Sequence, residues 1–205
     1  TFVLYALIAR YLGAYEFGQM SITLTVFYLL QSLAPLGLKM LLVRETARQP
    51  ADSGSTLVQG SLVALGTSIL ALWLLLGFLF WMDYAPATTR LIMLVSVGLI
   101  PYSLSAVCEA IFQAHEQIRW ITAANVPISL GRGLAAWWIL AAGLELYWIG
   151  VLFLVSFTAT WLLEWLLLTR HVVRPDTRPE RDLFLRLARG AVPFIGLQGV
   201  IAVTN

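Results

Sequence analysis

Charge is what this sequence lacks most. Of its 205 residues only 12% are charged, 60% are hydrophobic, and the mean hydropathy is +0.83. A water-soluble domain needs roughly a quarter of its residues charged to cover its surface, so this chain does not read as one. Cysteine is nearly absent. Cys108 alone excludes an intramolecular disulfide and any cysteine-built metal cage, and reads as a small apolar packing residue. The two histidines, His115 and His171, have no ligand partner at metal spacing. HExxH, DxD, a glycine-rich phosphate loop and Gly-Lys-Ser/Thr are all missing, which argues against metal-dependent hydrolysis and P-loop chemistry. No metal and no cofactor is expected, and the chain does not read as an enzyme. A net charge of +2 is too small to imply nucleic acid.

What is present is apolar sequence in long blocks, whose common solvent is the bilayer core. A first, short apolar segment covers residues 1–9. The turn Arg10 to Gly18 follows, with Gly13 placed to adopt the left-handed conformation that closes a helix. Further apolar helices are expected at about 19–43, 57–82, 91–114, 120–142 and 147–168. Pro35 and Pro101 are expected kinks, and Pro127 with Gly131 an interruption. Polar loops are expected at 44–55, 83–90 and 115–119. Residues 170–190 read as a basic linker, and a seventh apolar helix starts at 191–205. The fold class is all-α, a polytopic transmembrane helix bundle. Both ends fall inside apolar segments, so the sequence reads as a fragment: a first six-helix lobe with the start of a helix 7. No basic region precedes the first apolar run, so no cleavable signal peptide is expected.

Arginine sets the orientation. The loops after the second, fourth and sixth segments carry Arg44, Arg48, Arg119, Arg170, Arg174, Arg178, Arg181, Arg186 and Arg189. The other loops carry only Arg10 and Arg90. Nine against two is a positive-inside bias that places the first group in the cytoplasm. Trp81, Tyr84, Trp120, Trp137, Trp138, Tyr147 and Trp148 sit near segment ends, the level amphipathic rings prefer.

Charges inside the segments cost about 2.5–3.5 kcal/mol each on insertion scales, so each needs a reason. Arg132 lies near the middle of its segment between Gly131 and Gly133. Its planar fork of donors suits phosphate or carboxylate. It reads as an anion site in a central cavity, or as a structural partner of Glu109 or Glu164. Those two glutamates could pair with Arg132 or Lys39, or carry a coupling proton or ion. Lys39 can snorkel from the inner end of its segment. Gln31 and Asn125 line a cavity or bond between helices. Arg10, against the positive-inside trend, either caps a helix end or faces the cavity mouth.

The stretch ARYLGAYEFGQM, followed by APLGLKMLLVRETAR, resembles the start of the polysaccharide transporters. These are the O-antigen and exopolysaccharide flippases of the multidrug/oligosaccharidyl-lipid/polysaccharide exporter superfamily. The matching residues are Arg10, Leu12, Gly13 and Gly18 of the first turn, Gly37 and Leu38, then Arg44, Glu45, Ala47 and Arg48. AVPFIGLQGVIAVTN, after the basic linker, is similar to the opening of the family's second lobe. The resemblance implies two lobes around a central cavity. It implies export of an undecaprenyl-pyrophosphate-linked oligosaccharide across the inner membrane, by alternating access, for surface polysaccharides such as lipopolysaccharide O-antigen. It also implies that basic cavity residues, here Arg132 and Arg10, meet the pyrophosphate or acidic sugars. The partners implied are the bilayer, the lipid-linked oligosaccharide, and polysaccharide polymerase and assembly proteins. The alternatives are a drug or small-cation exporter, which Arg132 disfavours, and an integral membrane enzyme of polysaccharide assembly, for which the short loops offer no catalytic cluster.

Overall fold

A computed structural model describes residues 11, 13–33, 36–82, 84–176 and 187. The expected first segment, Arg10, Pro35, most of the basic linker and the start of helix 7 lie outside the described residues. Those described fold into helices α1 (Ala14–Leu33), α2 (Leu36–Arg48), α3 (Ser53–Met82), α4 (Pro86–Val97), α5 (Leu99–Ala114), α6 (Ile118–Ala141) and α7 (Leu146–His171). A single 3₁₀ turn, Pro50–Asp52, leads into α3. Among the described residues, three stretches are long and apolar enough to cross a membrane: Pro50–Met82, Pro86–Ala114 and Leu146–His171. The described residues form an all-helical membrane bundle.

The helices outrun the apolar blocks. The expected polar loop 44–55 is nearly all helical, because α2 continues to Arg48 and α3 already begins at Ser53. Arg, Glu and Ala are good helix formers, so the backbone ladder continues past the point where lipid ends. Likewise α7 runs through Arg170 and His171, which were expected in the linker. Gly13 takes the expected left-handed conformation, φ +93°, but at the opening of α1, where its carbonyl accepts from the Phe17 amide at 3.1 Å. The break in the fourth segment falls at Gly98, three residues before the expected kink at Pro101. Proline lacks the N–H that would bond back to residue 97, and it sits comfortably in the first turn of a new helix. Pro127 does not interrupt α6, which is continuous from Ile118 to Ala141; one missing N–H is tolerated where neighbouring groups take up the freed carbonyl.

The α4–α5 stretch is the hub: 67% of its most apolar window is buried, against 28% and 22% for the stretches containing α3 and α7. At the end of the bundle bearing Arg44, Arg48, Arg119, Arg170 and Arg174 (the basic end), Leu42, Leu57, Val107, Ile111, Phe112 and Leu168 form one core cluster. Leu187, within the expected linker, is buried in that cluster. At the opposite end Met20, Leu24, Ala136, Leu140, Ile149 and Phe153 form another. Between them Phe27 of α1 stacks on Phe157 of α7 at 5.0 Å. The outer face of α3 exposes Trp73, Leu74, Phe80 and Trp81, as a lipid-facing surface would.

Candidate functional site

Glu164 of α7 is fully buried. Its carboxylate takes two hydrogen bonds from two other helices. Ser105 Oγ of α5 donates to Oε2, and Asn125 Nδ2 of α6 donates to Oε1 at 2.9 Å. Asn125 also donates to the Ile121 carbonyl at 3.1 Å, which fixes its amide in that direction. Asn125 is therefore an interhelical bond to a carboxylate, the second of the two roles its sequence position allowed. No cation lies within ion-pair distance of Glu164 among the described residues. A carboxyl group held this way by two neutral donors can gain or lose a proton without moving a helix, because the hydroxyl of Ser105 can donate or accept.

Four residues along α5, one turn from Ser105, stands Glu109. It pairs with Lys39 of α2, both side chains being partly exposed. Of the pairings open to Lys39, Glu109 and Glu164, the structure makes this one. Ser105 was not anticipated; its spacing of four from Glu109 is the signal that places both on one side of α5.

Arg132 stands apart from these groups. Asn125 and Arg132 are two turns apart on α6 and share the side that meets α7. Asn125 meets Glu164, whereas the Arg132 guanidinium lies over the ring of Phe153, 5.2 Å from its centroid. Phe153 is three turns from Glu164 along α7, about 16 Å at 1.5 Å per residue. That separation rules out the pairing of Arg132 with Glu164. Arg132 makes no ion pair or hydrogen bond among the described residues, and it is half-buried. A cation over an aromatic face gains some attraction but no neutralising charge. Its donors are thus free for an acceptor from outside the described residues. Gln31 of α1 is half-buried and also makes no hydrogen bond among them.

No group of three or more His, Cys, Asp or Glu side chains that could hold a metal ion occurs among the described residues. Of comparisons with known proteins, one family model matches, described as polysaccharide biosynthesis protein, over residues 1–205. No curated protein and no solved structure matches the chain.

Proposed function

The chain belongs to the polysaccharide biosynthesis protein family, and from that premise we propose that it is a transporter moving a lipid-linked oligosaccharide, carried on undecaprenyl pyrophosphate, across the inner membrane. The basic end faces the cytoplasm in this reading, by the positive-inside bias. The bundle forms a first lobe, and rocking against a second gives alternating access. Polysaccharide polymerase and assembly proteins receive the product.

The observation that carries the reading is Arg132: a guanidinium within an apolar helix, resting on Phe153, with no carboxylate partner among the described residues. A charge in that setting is retained for a ligand, and the planar fork suits a pyrophosphate. Arg10 is proposed as a second basic contact at the cavity mouth. We assign the driving force to an ion gradient, with Glu164 as the carrier. Glu109 already has Lys39 as counter-charge, whereas Glu164 has only neutral donors.

Replacing Arg132 by Ala tests the reading in cells. Surface polysaccharide should be lost while the protein level in the membrane stays unchanged, and Arg132→Lys should retain only part of the output, since an ammonium lacks the fork. Normal polysaccharide output from Arg132→Ala would overturn the role.

A further inference from the structure

Trp120 and His171 meet at the basic end of the bundle, where α6 begins and α7 ends. The imidazole stacks on the indole, with ring centroids 4.5 Å apart and planes 28° from parallel. The Arg119 guanidinium lies over the same indole, 5.2 Å from its centroid. One indole thus carries both groups. His171 closes a stretch long and apolar enough to cross the membrane, so the patch stands at the level where lipid gives way to water.

The patch faces outward. Arg119 and His171 are exposed and Trp120 is half-buried. After His171 the strap Val172–Asp176 runs over the start of α3, so closely that a Cβ on Gly54 would clash with the Arg174 carbonyl oxygen. Only glycine admits that approach. The amides of Val172 and Val173 both bond to the Leu168 carbonyl at 3.0 Å, which turns the chain at the end of α7. The strap therefore does not cover the patch.

Its polar atoms suit a ligand that is both anionic and hydroxylated. Arg119 Nε donates to Gln117 Oε1 at 3.1 Å, which leaves the two Nη groups of the fork open. Arg119 makes no ion pair among the described residues. His171 Nδ1 is 3.1 Å from the Leu167 carbonyl, and a carbonyl oxygen only accepts, so Nδ1 carries a proton and donates it. In the neutral ring Nε2 is then an acceptor, aimed by the stack and by that bond. The charged residues flanking the patch in sequence are Glu116, Arg170 and Arg174, so positive charge prevails.

The surrounding medium supplies such a ligand. Exposed side chains at this level of a membrane protein meet lipid head groups, and a basic pair of helix ends attracts the anionic ones. We infer that the patch holds one anionic phospholipid whose phosphodiester carries a free hydroxyl, namely phosphatidylglycerol. Its phosphate meets the Nη groups of Arg119, and a glycerol hydroxyl donates to His171 Nε2. The indole of Trp120 lies between the head group and the acyl chains, apolar on its body and wet at its edge. The assignment does not depend on what the protein transports.

The test is native mass spectrometry of the full chain in detergent, incubated with equal amounts of phosphatidylglycerol, phosphatidylethanol and phosphatidylcholine bearing the same acyl chains. Phosphatidylethanol is an anionic phosphodiester without a hydroxyl, and phosphatidylcholine is zwitterionic. Phosphatidylglycerol should be retained most and phosphatidylcholine least. Arg119→Ala should lower retention of both anionic lipids about fivefold relative to phosphatidylcholine, the effect of one basic residue at an anionic surface. His171→Phe keeps a ring on the indole and should remove only the preference for phosphatidylglycerol over phosphatidylethanol. Arg90→Ala, at the opposite end of the bundle, should change nothing, and neither should an excess of inorganic phosphate. All three altered side chains are exposed, so the folded state tolerates their loss. Unchanged lipid preference in Arg119→Ala overturns the proposal, as does an equal fall in Arg90→Ala. Displacement of the lipid by inorganic phosphate would overturn it in favour of a soluble anion. Equal retention of the two anionic lipids by the unaltered protein would overturn the hydroxyl contact of His171.

Discussion

The two halves of the α6–α7 contact treat charge in opposite ways. Toward the basic end, Glu164 is completely buried and held by donors from α5 and α6. Two turns along α6, Arg132 lies half-buried over Phe153 with no acid among the described residues to meet it. The same pair of helices thus carries one charge whose hydrogen bonds are internal and one whose donors are left open. An internally satisfied charge ties helices together, so its removal should be felt as stability, whatever coupling role it also carries. A charge with open donors contributes little to the fold, and its removal should be felt as function. The experiments below can break or sharpen that distinction.

The largest effect is expected at Glu164. Changing Ser105 and Asn125 both to Ala leaves the buried carboxyl without a donor. If the group is ionised, each bond is worth about 1.5–3 kcal/mol, so the double variant should lose roughly 3 kcal/mol or more. If it is protonated, each is a neutral interhelical bond, worth about 0.6 kcal/mol on average in membrane proteins. Thermal unfolding in detergent, comparing the double variant with the same changes in a Glu164→Gln background, separates the cases. A double variant as stable as the parent would remove the internal half of the comparison.

Next comes the ion pair of Lys39 and Glu109. Both side chains keep partial exposure, so solvent screens the attraction. A double-mutant cycle with Lys39→Ala and Glu109→Ala should give a coupling of about 1 kcal/mol. The single Lys39→Ala variant should be less stable than the double, since it leaves an uncompensated carboxylate between α2 and α5. Equal stability of the two would mean that Glu109 reaches water once its partner is gone.

Hydropathy made the membrane class legible, because lipid as a solvent shows directly in side-chain composition. It did not make the helix ends legible. Arg44–Arg48 is helical although polar, since hydropathy reports the solvent around a helix while backbone hydrogen bonds decide where it stops. The intramembrane charges were visible one by one, but their partners needed tertiary structure. Part of that was still encoded in spacing. Separations of seven from Asn125 to Arg132, and of eleven from Phe153 to Glu164, are close to whole turns, so each pair shares a helix side. What no spacing could supply is that Glu164 meets Asn125 and Ser105 while Arg132 meets Phe153. Ser105 went unnoticed because serine in a membrane helix usually bonds its own preceding turn, as Ser156 does with the Leu152 carbonyl.

The smallest effect on stability is expected where the effect on function is largest. Arg132 has little to lose among the described residues: the face of Phe153 and an electrostatic interaction with Tyr28. Such contacts are worth about 0.5–1 kcal/mol where solvent still reaches the cation. A cycle with Arg132→Ala and Phe153→Leu should therefore return a coupling of no more than about 1 kcal/mol, and Arg132→Ala alone should shift the melting temperature only slightly. Phe153→Leu keeps an apolar side chain in the cluster with Ile149 and Leu146, and the cycle subtracts what the ring loses in packing, its contact with Phe157 included. The three variants then discriminate two explanations for a charge at this depth. If Arg132 is a structural group, Arg132→Ala lowers both melting temperature and polysaccharide output. If it waits for a ligand, output falls while melting does not, and Phe153→Leu reduces output by disturbing how the guanidinium is aimed. A large loss of stability in Arg132→Ala would move Arg132 into the same class as Glu164 and leave no charge among the described residues set aside for cargo.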